Sequence, residues 1–220
     1  MAMGGGNLPL IEAVPGTEAS SEEGQAENKP EVLRYQFNGD TKALKEENPD
    51  FIGWIYIPGT DVSYPMVQAA DNDYYLRRTF EGEPNNAGCI FMDYLIEKGL
   101  DAKNPIIYGH NRRDGSMFAS LKRFQKKSFY EKYRYIYIFT TEGDRVYEVF
   151  SVYVTMPDSD TYTYGFGSDE SFLAYIDKVK SQSVYDTGVE VLAQDSILPL
   201  STCTNRQADT RFVVQAKRIQ

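Results

Sequence analysis

Residues 198–214 read LPLSTCTNRQADTRFVV, from Leu198 to Val214. An apolar run delivers Cys203, a polar stretch follows, and Arg211 opens a second apolar run. Two apolar runs joined by a polar loop are the pattern of adjacent antiparallel strands, and residues flanking such a loop are spatial neighbours. Cys203 is then either a small core residue at a strand end or a nucleophile with a guanidinium beside it.

Working outward from this pair, the rest of the chain repeats the pattern of short apolar runs between turn signals. Residues 51–57 end at Pro58-Gly59-Thr60-Asp61 and residues 62–67 return, the signature of a hairpin. Residues 87–92 and 105–108 are short apolar runs of buried-strand type, and residues 135–140 and 146–156 flank Glu142-Gly143-Asp144 as a second hairpin. Helical signals are fewer. Asp40 or Thr41 caps a short helix that Asn48-Pro49 stops, and residues 71–80 read as a short helical turn. Met117, Phe118, Leu121 and Phe124 have helical spacing, which predicts an amphipathic helix over residues 116–124. Ser168 caps a helix over residues 169–180 that carries Phe172, Leu173, Ile176 and Val179 on one face. Eight strands with few helices between them predict a mainly β fold, a closed or nearly closed barrel rather than a doubly wound sheet.

Composition bounds the function. A chain of 220 residues with 41% hydrophobic content can bury a sizeable core. The net charge of −9 argues against nucleic acid or an anionic membrane surface as the main partner, because both attract cationic faces. Residues 1–30 are rich in Gly, Pro, Ser, Ala and Glu without apolar periodicity and read as a flexible tether or a cloning remnant, leaving 31–220 as one folded domain. No window is apolar over the ~18 residues that a membrane span needs.

Two cysteines and one histidine limit the chemistry further. Disulfide scaffolds, thiolate zinc sites and multi-histidine metal sites are excluded, and no spaced acidic loop suggests calcium. Any cysteine–histidine chemistry must use His110 with Cys89 or Cys203. Cys89 sits inside an apolar run with no cation nearby and reads as buried. His110 follows Ile106-Ile107-Tyr108-Gly109 and precedes a polar loop. Alone it reads as structural; together with Cys203 and Arg211, also at strand ends, it reads as part of one site. A thiol of ordinary pKa is only slightly ionised at neutral pH, so a nucleophilic cysteine needs such neighbours.

NPIIYGHNRRDGSMF over residues 104–118 and LSTC followed by Arg211 resemble the signature of the sortases, a family of cysteine transpeptidases whose motif is written TLxTC with an arginine several residues on. DNDYYLRRTF over residues 71–80 and AGCIFMDY over residues 87–94 are similar to class B segments. The resemblance covers residues 41–219 and implies an eight-stranded sortase-type barrel with an N-terminal helix and a helix inserted between the sixth and seventh strands. It implies catalytic roles for His110, Cys203 and Arg211, and a substrate groove lined by Asn72, Leu76, Tyr162, Thr163 and Ser201. Read as residues alone, Asn72 equally fits a helix cap, Leu76 a core position and Tyr162 an exposed loop.

The implied reaction is cleavage of a C-terminal sorting signal after Thr, a thioester on Cys203, and transfer of the surface protein to a peptidoglycan amine. Pilin polymerisation and a noncatalytic peptide- or glycan-binding barrel are the alternatives. No cofactor and no metal are implied. The resemblance places the enzyme on the outer face of the membrane of a Gram-positive bacterium, tethered by an N-terminal helix, with this chain as its ectodomain. Two positions depart from the family pattern. Pro199 stands where the first Thr of TLxTC is usual and is expected to alter the approach to Cys203, and Cys89 stands where class B more often has Ser.

Overall fold

A computed structural model describes residues 11–14, 34–204 and 209–220. The chain divides into two compact units, residues 1–40 and 41–220. In the first, β1 (Ile11–Val14) pairs antiparallel with β2 (Arg34–Phe37), so part of the tract read as a tether forms a strand, and the remainder of residues 1–30 lies outside the described residues.

The second unit is the expected closed eight-stranded barrel. Its strands are β3 (Phe51–Tyr56), β4 (Ser63–Val67), β5 (Ile90–Met92), β6 (Ile107–Tyr108), β7 (Tyr135–Thr140), β8 (Gly143–Thr155), β9 (Ile197–Cys203) and β10 (Arg211–Arg218). Around the barrel they run β10, β8, β7, β3, β4, β5, β6, β9, and the β9–β10 pairing closes the ring. Six of the eight pairings are antiparallel; β4–β5 and β6–β9 are parallel.

Strand alternation fills the barrel. Leu198 and Leu200 of β9, Val214 and Ala216 of β10 and Ile136 and Ile138 of β7 point inward and are fully buried. The opposite face of the same strands carries Ile197 and Val213, which pack with Phe150 and Tyr153 against Phe172, Tyr175, Ile176 and Val179 of α3 (Asp169–Ser181). This helix enters between β8 and β9, the sixth and seventh strands of the barrel, as expected. Its start is a capping box in which Ser168 Oγ accepts from Ser171 N at 3.3 Å and Ser171 Oγ accepts from Ser168 N at 3.1 Å. A short α1 (Thr41–Glu47) precedes β3.

The amphipathic helix expected over residues 116–124 forms instead as a 3-10 helix, Phe118–Gln125. Met117 has φ of 56° and donates its N–H to the Tyr64 hydroxyl at 3.2 Å, while Phe118 N donates to His110 O at 2.9 Å. Those bonds satisfy N–H groups at the helix start, which have no partner within the helix. The apolar face survives: Phe118, Leu121 and Phe124 are buried in the barrel core. α2 (Lys127–Lys132) follows without a sequence signal strong enough to have announced it, and the helical turn over residues 71–80 contracts to a 3-10 helix, Tyr74–Arg77.

Pro199 leaves the approach to Cys203 unshifted. β9 runs unbroken from Ile197, and its register with β10 continues without a slip from Ile197↔Lys217 through Pro199↔Gln215 to Cys203↔Arg211.

Candidate functional site

Cys203 is the last residue of β9 and is exposed, whereas Cys89 is buried. The strand-core reading therefore belongs to Cys89 alone. Burial is the main reason that the Cys89 thiol is pushed up to about 12, with Glu81 adding to it.

Arg211 opens β10 directly opposite Cys203. Residues facing each other in an antiparallel pair share a face and lie about 5 Å apart between Cα atoms. The Arg211 guanidinium bonds Asp209. Burial acts to lower its pKa, but the Asp209 bond and the charges of Cys203 and Asp209 outweigh that and raise it, so the cation is permanent.

His110 arrives by a different pairing. β6 runs parallel to β9 with its last residue, Tyr108, opposite Ser201, and His110 follows Tyr108 by two residues as Cys203 follows Ser201. The residues on either side of His110 are tied to β9: Gly109 N donates to Ser201 O at 3.2 Å and the Asn111 side-chain Nδ2 donates to Cys203 O at 2.6 Å. Gly109 is required by close approach, since a Cβ there would lie 2.6 Å from Ile90 Cδ1 and 2.7 Å from the Phe118 ring. His110 Nε2 lies 2.8 Å from the Leu76 carbonyl oxygen. A carbonyl only accepts, so Nε2 holds the proton of this bond and Nδ1 is the ring nitrogen left to exchange one.

The expected groove residues divide. Ser201 is buried beside Cys203, and its hydroxyl meets the Tyr162 hydroxyl at 2.9 Å. The Tyr162 ring stacks on Tyr108 at 6.2 Å between centroids, and burial raises its hydroxyl pKa against the opposing pull of Ser201 and Arg211. Leu76, half-buried against Tyr75, Cys89 and Phe91, reaches the site through its carbonyl. Asn72 is not a helix cap: its amide donates to Asp93 Oδ2 at 3.1 Å and its oxygen accepts from Tyr94 N at 3.1 Å. Thr163 closes onto its own loop through Asp160 O at 2.7 Å and gives its carbonyl to Asn104 at 2.7 Å; among the described residues no hydrogen bond links it to Cys203, His110 or Arg211.

Sequence reasoning missed Asp93. Its carboxylate is fully buried and accepts from Asn72 Nδ2, Tyr108 OH at 2.9 Å, Tyr164 OH at 3.2 Å and Leu95 N at 3.0 Å. One buried anion thus braces the loop that leads to Leu76, the strand that leads to His110 and the loop that carries Tyr162. The available signal was an acid ending the apolar run of residues 87–92, where a charge survives burial only if it is fully bonded. Among the described residues no group of His, Cys, Asp and Glu could hold a metal ion.

The profile of the sortase domain family matches residues 55–219. The chain belongs to the sortase family. It is 37% identical to sortase B of Listeria monocytogenes over 182 residues, which cover 82% of this chain and 74% of that protein. Among solved structures, the Staphylococcus aureus sortase B–substrate complex superposes with a TM-score of 0.77 at 36% identity, covering 82% of this chain and 84% of that one. Clostridium perfringens sortase B gives the same TM-score at 34% identity, covering 82% of this chain and all of that one. As a class B-like sortase the chain is a cysteine transpeptidase, which sets aside the noncatalytic binding barrel.

Proposed function

We propose that this sortase cleaves a C-terminal sorting signal after Thr and transfers the surface protein to a peptidoglycan amine, with Cys203, His110 and Arg211 as its catalytic residues. The observation that supports this reading most is the register, in which the exposed Cys203 faces Arg211 across the β9–β10 ladder while β6, the other neighbour of β9, ends two residues before His110.

The Cys203 thiolate attacks the Thr carbonyl carbon, and the C=O electron pair moves onto oxygen. Arg211 stabilises that oxyanion, a role suited to a permanent cation with several N–H donors. The C–N bond breaks as the C=O reforms, and His110, as imidazolium with Nε2–H still on Leu76 O, gives its Nδ1 proton to the departing amine, leaving a thioester on Cys203. A second amine attacks the thioester, His110 takes its proton, the C–S bond breaks and the thiolate is restored as the new amide leaves. On the substrate side, Asn72, Leu76, Tyr162, Thr163 and Ser201 line the groove along which the sorting signal lies. The partners are surface proteins bearing the signal and a cell-wall amine; no nucleic acid is involved.

The relatives from Listeria and Staphylococcus support a place on the outer face of a Gram-positive membrane. Among the described residues no helix is long and apolar enough to cross a membrane. Mass spectrometry of the enzyme with a set of Thr-containing sorting pentapeptides tests the reading. A thioester adduct on Cys203 that converts to an amide with a peptidoglycan-stem amine is the expected result. An adduct that forms amide only with a pilin lysine peptide would assign pilus assembly instead, and no adduct with any peptide would overturn the reading.

A further inference from the structure

Cys203 is approached from both faces of β9. Ser201 and Cys203 share the face that meets Tyr162 and Arg211. Thr202 points the other way, toward the mouth of the barrel, where a cavity of about 140 Å³ is lined by Asn111, Phe118, Lys122, Thr202, Thr204 and Phe212. The Thr202 hydroxyl is buried and has no hydrogen-bond partner among the described residues. Asn111 stands on the rim and is bonded to the main-chain carbonyl of Cys203 itself. A cavity whose rim touches the nucleophile's own backbone, and whose floor holds an unused hydroxyl, is unexplained by the signal-binding groove.

The segment that supplies Lys122 to this cavity has a charge the reverse of the molecule's. Residues 110–134 carry eight Lys and Arg against Asp114 and Glu131, a net of +6 in a chain of net −9. Lys122 lines the cavity and is exposed, and among the described residues it takes part in no hydrogen bond or ion pair; Lys126 and Lys127, just beyond it in the chain, are exposed as well. Such a concentration of one sign attracts and orients an anionic group at short range.

We propose that this cavity is the entry subsite for the acceptor, and that it takes an amine-bearing peptide that also carries a carboxylate. The proposal rests on the transpeptidase reading and adds where the second substrate binds and what charge it bears. The acceptor carboxylate meets Lys122, its aliphatic backbone lies over Phe118 and Phe212, and an amide group uses the Thr202 hydroxyl. The amine passes the rim at Asn111, the residue next to His110, and attacks the thioester carbonyl. The N–C bond forms, the C–S bond breaks to return the Cys203 thiolate, and the amine proton goes to His110. The departing peptide of the first half-reaction leaves by this side, since the acyl half still fills the other face.

The test loads Cys203 with a sorting pentapeptide and offers triglycine, with its free carboxylate, or triglycinamide, which lacks it. Amide and hydrolysed acid are quantified by mass spectrometry. The wild type is expected to give an amide-to-acid ratio about two- to fivefold higher with triglycine, the range of a single exposed charge pair. Lys122→Glu should abolish or invert that preference, and Thr202→Val should lower the ratio with both acceptors. Lys98→Glu serves as a matched charge change beside Arg145, at the end of β8 remote from Val154 and this cavity, and should leave the preference intact. Amide formed without charge preference, or a preference that Lys122→Glu does not alter, overturns the subsite while the transpeptidase reading stands. A wild-type thioester that yields no amide with either acceptor fails the parent reading and the subsite with it. Equal use of both acceptors by both proteins, with Lys122→Glu losing affinity for phosphatidylglycerol vesicles, would assign the basic segment to a lipid surface and overturn the proposal.

Discussion

Arg211 stands directly opposite Cys203 in the β9–β10 ladder, at the point where both strands meet the loop between them. Position in a ladder fixes the direction of approach, and the planar guanidinium offers two parallel N–H groups that an ammonium does not. Arg211→Lys is expected to lower kcat/KM for a sorting peptide by about 10² to 10³, the cost of losing one oxyanion donor. Cys203→Ala should form no adduct at all. Steady-state kinetics and intact-protein mass spectrometry check the two; near-normal turnover in either would remove that residue from the mechanism.

His110 keeps its place through the bond from Nε2 to Leu76 O. Glutamine can still donate to that carbonyl but cannot shuttle a proton at neutral pH. His110→Gln should therefore fold with an unchanged melting temperature while turnover falls by about 10² to 10⁴, the usual worth of general acid–base catalysis. A turnover within a few-fold of wild type would show that another group moves the proton.

Asp93 braces both walls of the groove from a fully buried position. Asp93→Asn preserves its shape but turns an acceptor into a donor facing other donors. A loss of about 2 to 3 kcal/mol in stability is expected, in line with hydrogen bonds to a buried charge. If the brace also sets groove geometry, KM for the sorting peptide rises at temperatures where the variant remains folded. Urea denaturation and kinetics on the same preparation separate the two effects.

The two thiols differ in reach. Cys89 is buried with its pKa pushed up to about 12, and Cys203 is exposed. A thiol-reactive probe at pH 8 should label Cys203 in the native protein and both cysteines after unfolding. Native labelling of Cys89, or a Cys203 that reacts only in the denatured chain, would contradict the arrangement.

Alkali should unfold the barrel over a defined window. Burial pushes Tyr130, Tyr153 and Tyr164, as well as Cys89, up to about 12. Their unfolded values are about 9 for the thiol and 10 for the phenols. Below pH 9 these groups are protonated in both states and their burial is without cost. From there to about pH 12 the unfolded chain releases protons that the folded chain retains, so stability is lost as pH rises. Denaturant midpoints measured from pH 8 to 11.5 should fall steadily, and a flat profile would mean that these side chains are solvated.

Much of the barrel was legible because its strands are separate apolar runs bounded by turn residues, as at Pro58-Gly59 and Glu142-Gly143. Cys203 and Arg211 were legible as neighbours because one loop joins their strands. His110 shared with them a strand-end position, but that it lies at the same end of the barrel was not legible, since β6 is two residues long and its pairing with β9 is set by tertiary closure rather than by any local pattern. The segment after Met117 differed in pitch rather than in face: its helical spacing was real, but it forms a 3-10 helix that follows a positive φ at Met117. Asp93 escaped notice because a single acid after a strand says nothing of the three distant side chains that converge on it.

The parallel pairing of β6 with β9 joins Tyr108 to Ser201, residues 93 positions apart in the chain. Contacts of such long sequence separation are slow to form in folding. A fragment or half-closed intermediate that lacks this pairing therefore cannot hold the β6 end that leads to His110 against β9. Recovery of transpeptidation after dilution from denaturant would then lag any signal from the β7–β8 hairpin, making enzyme activity itself the clock for the last step of folding.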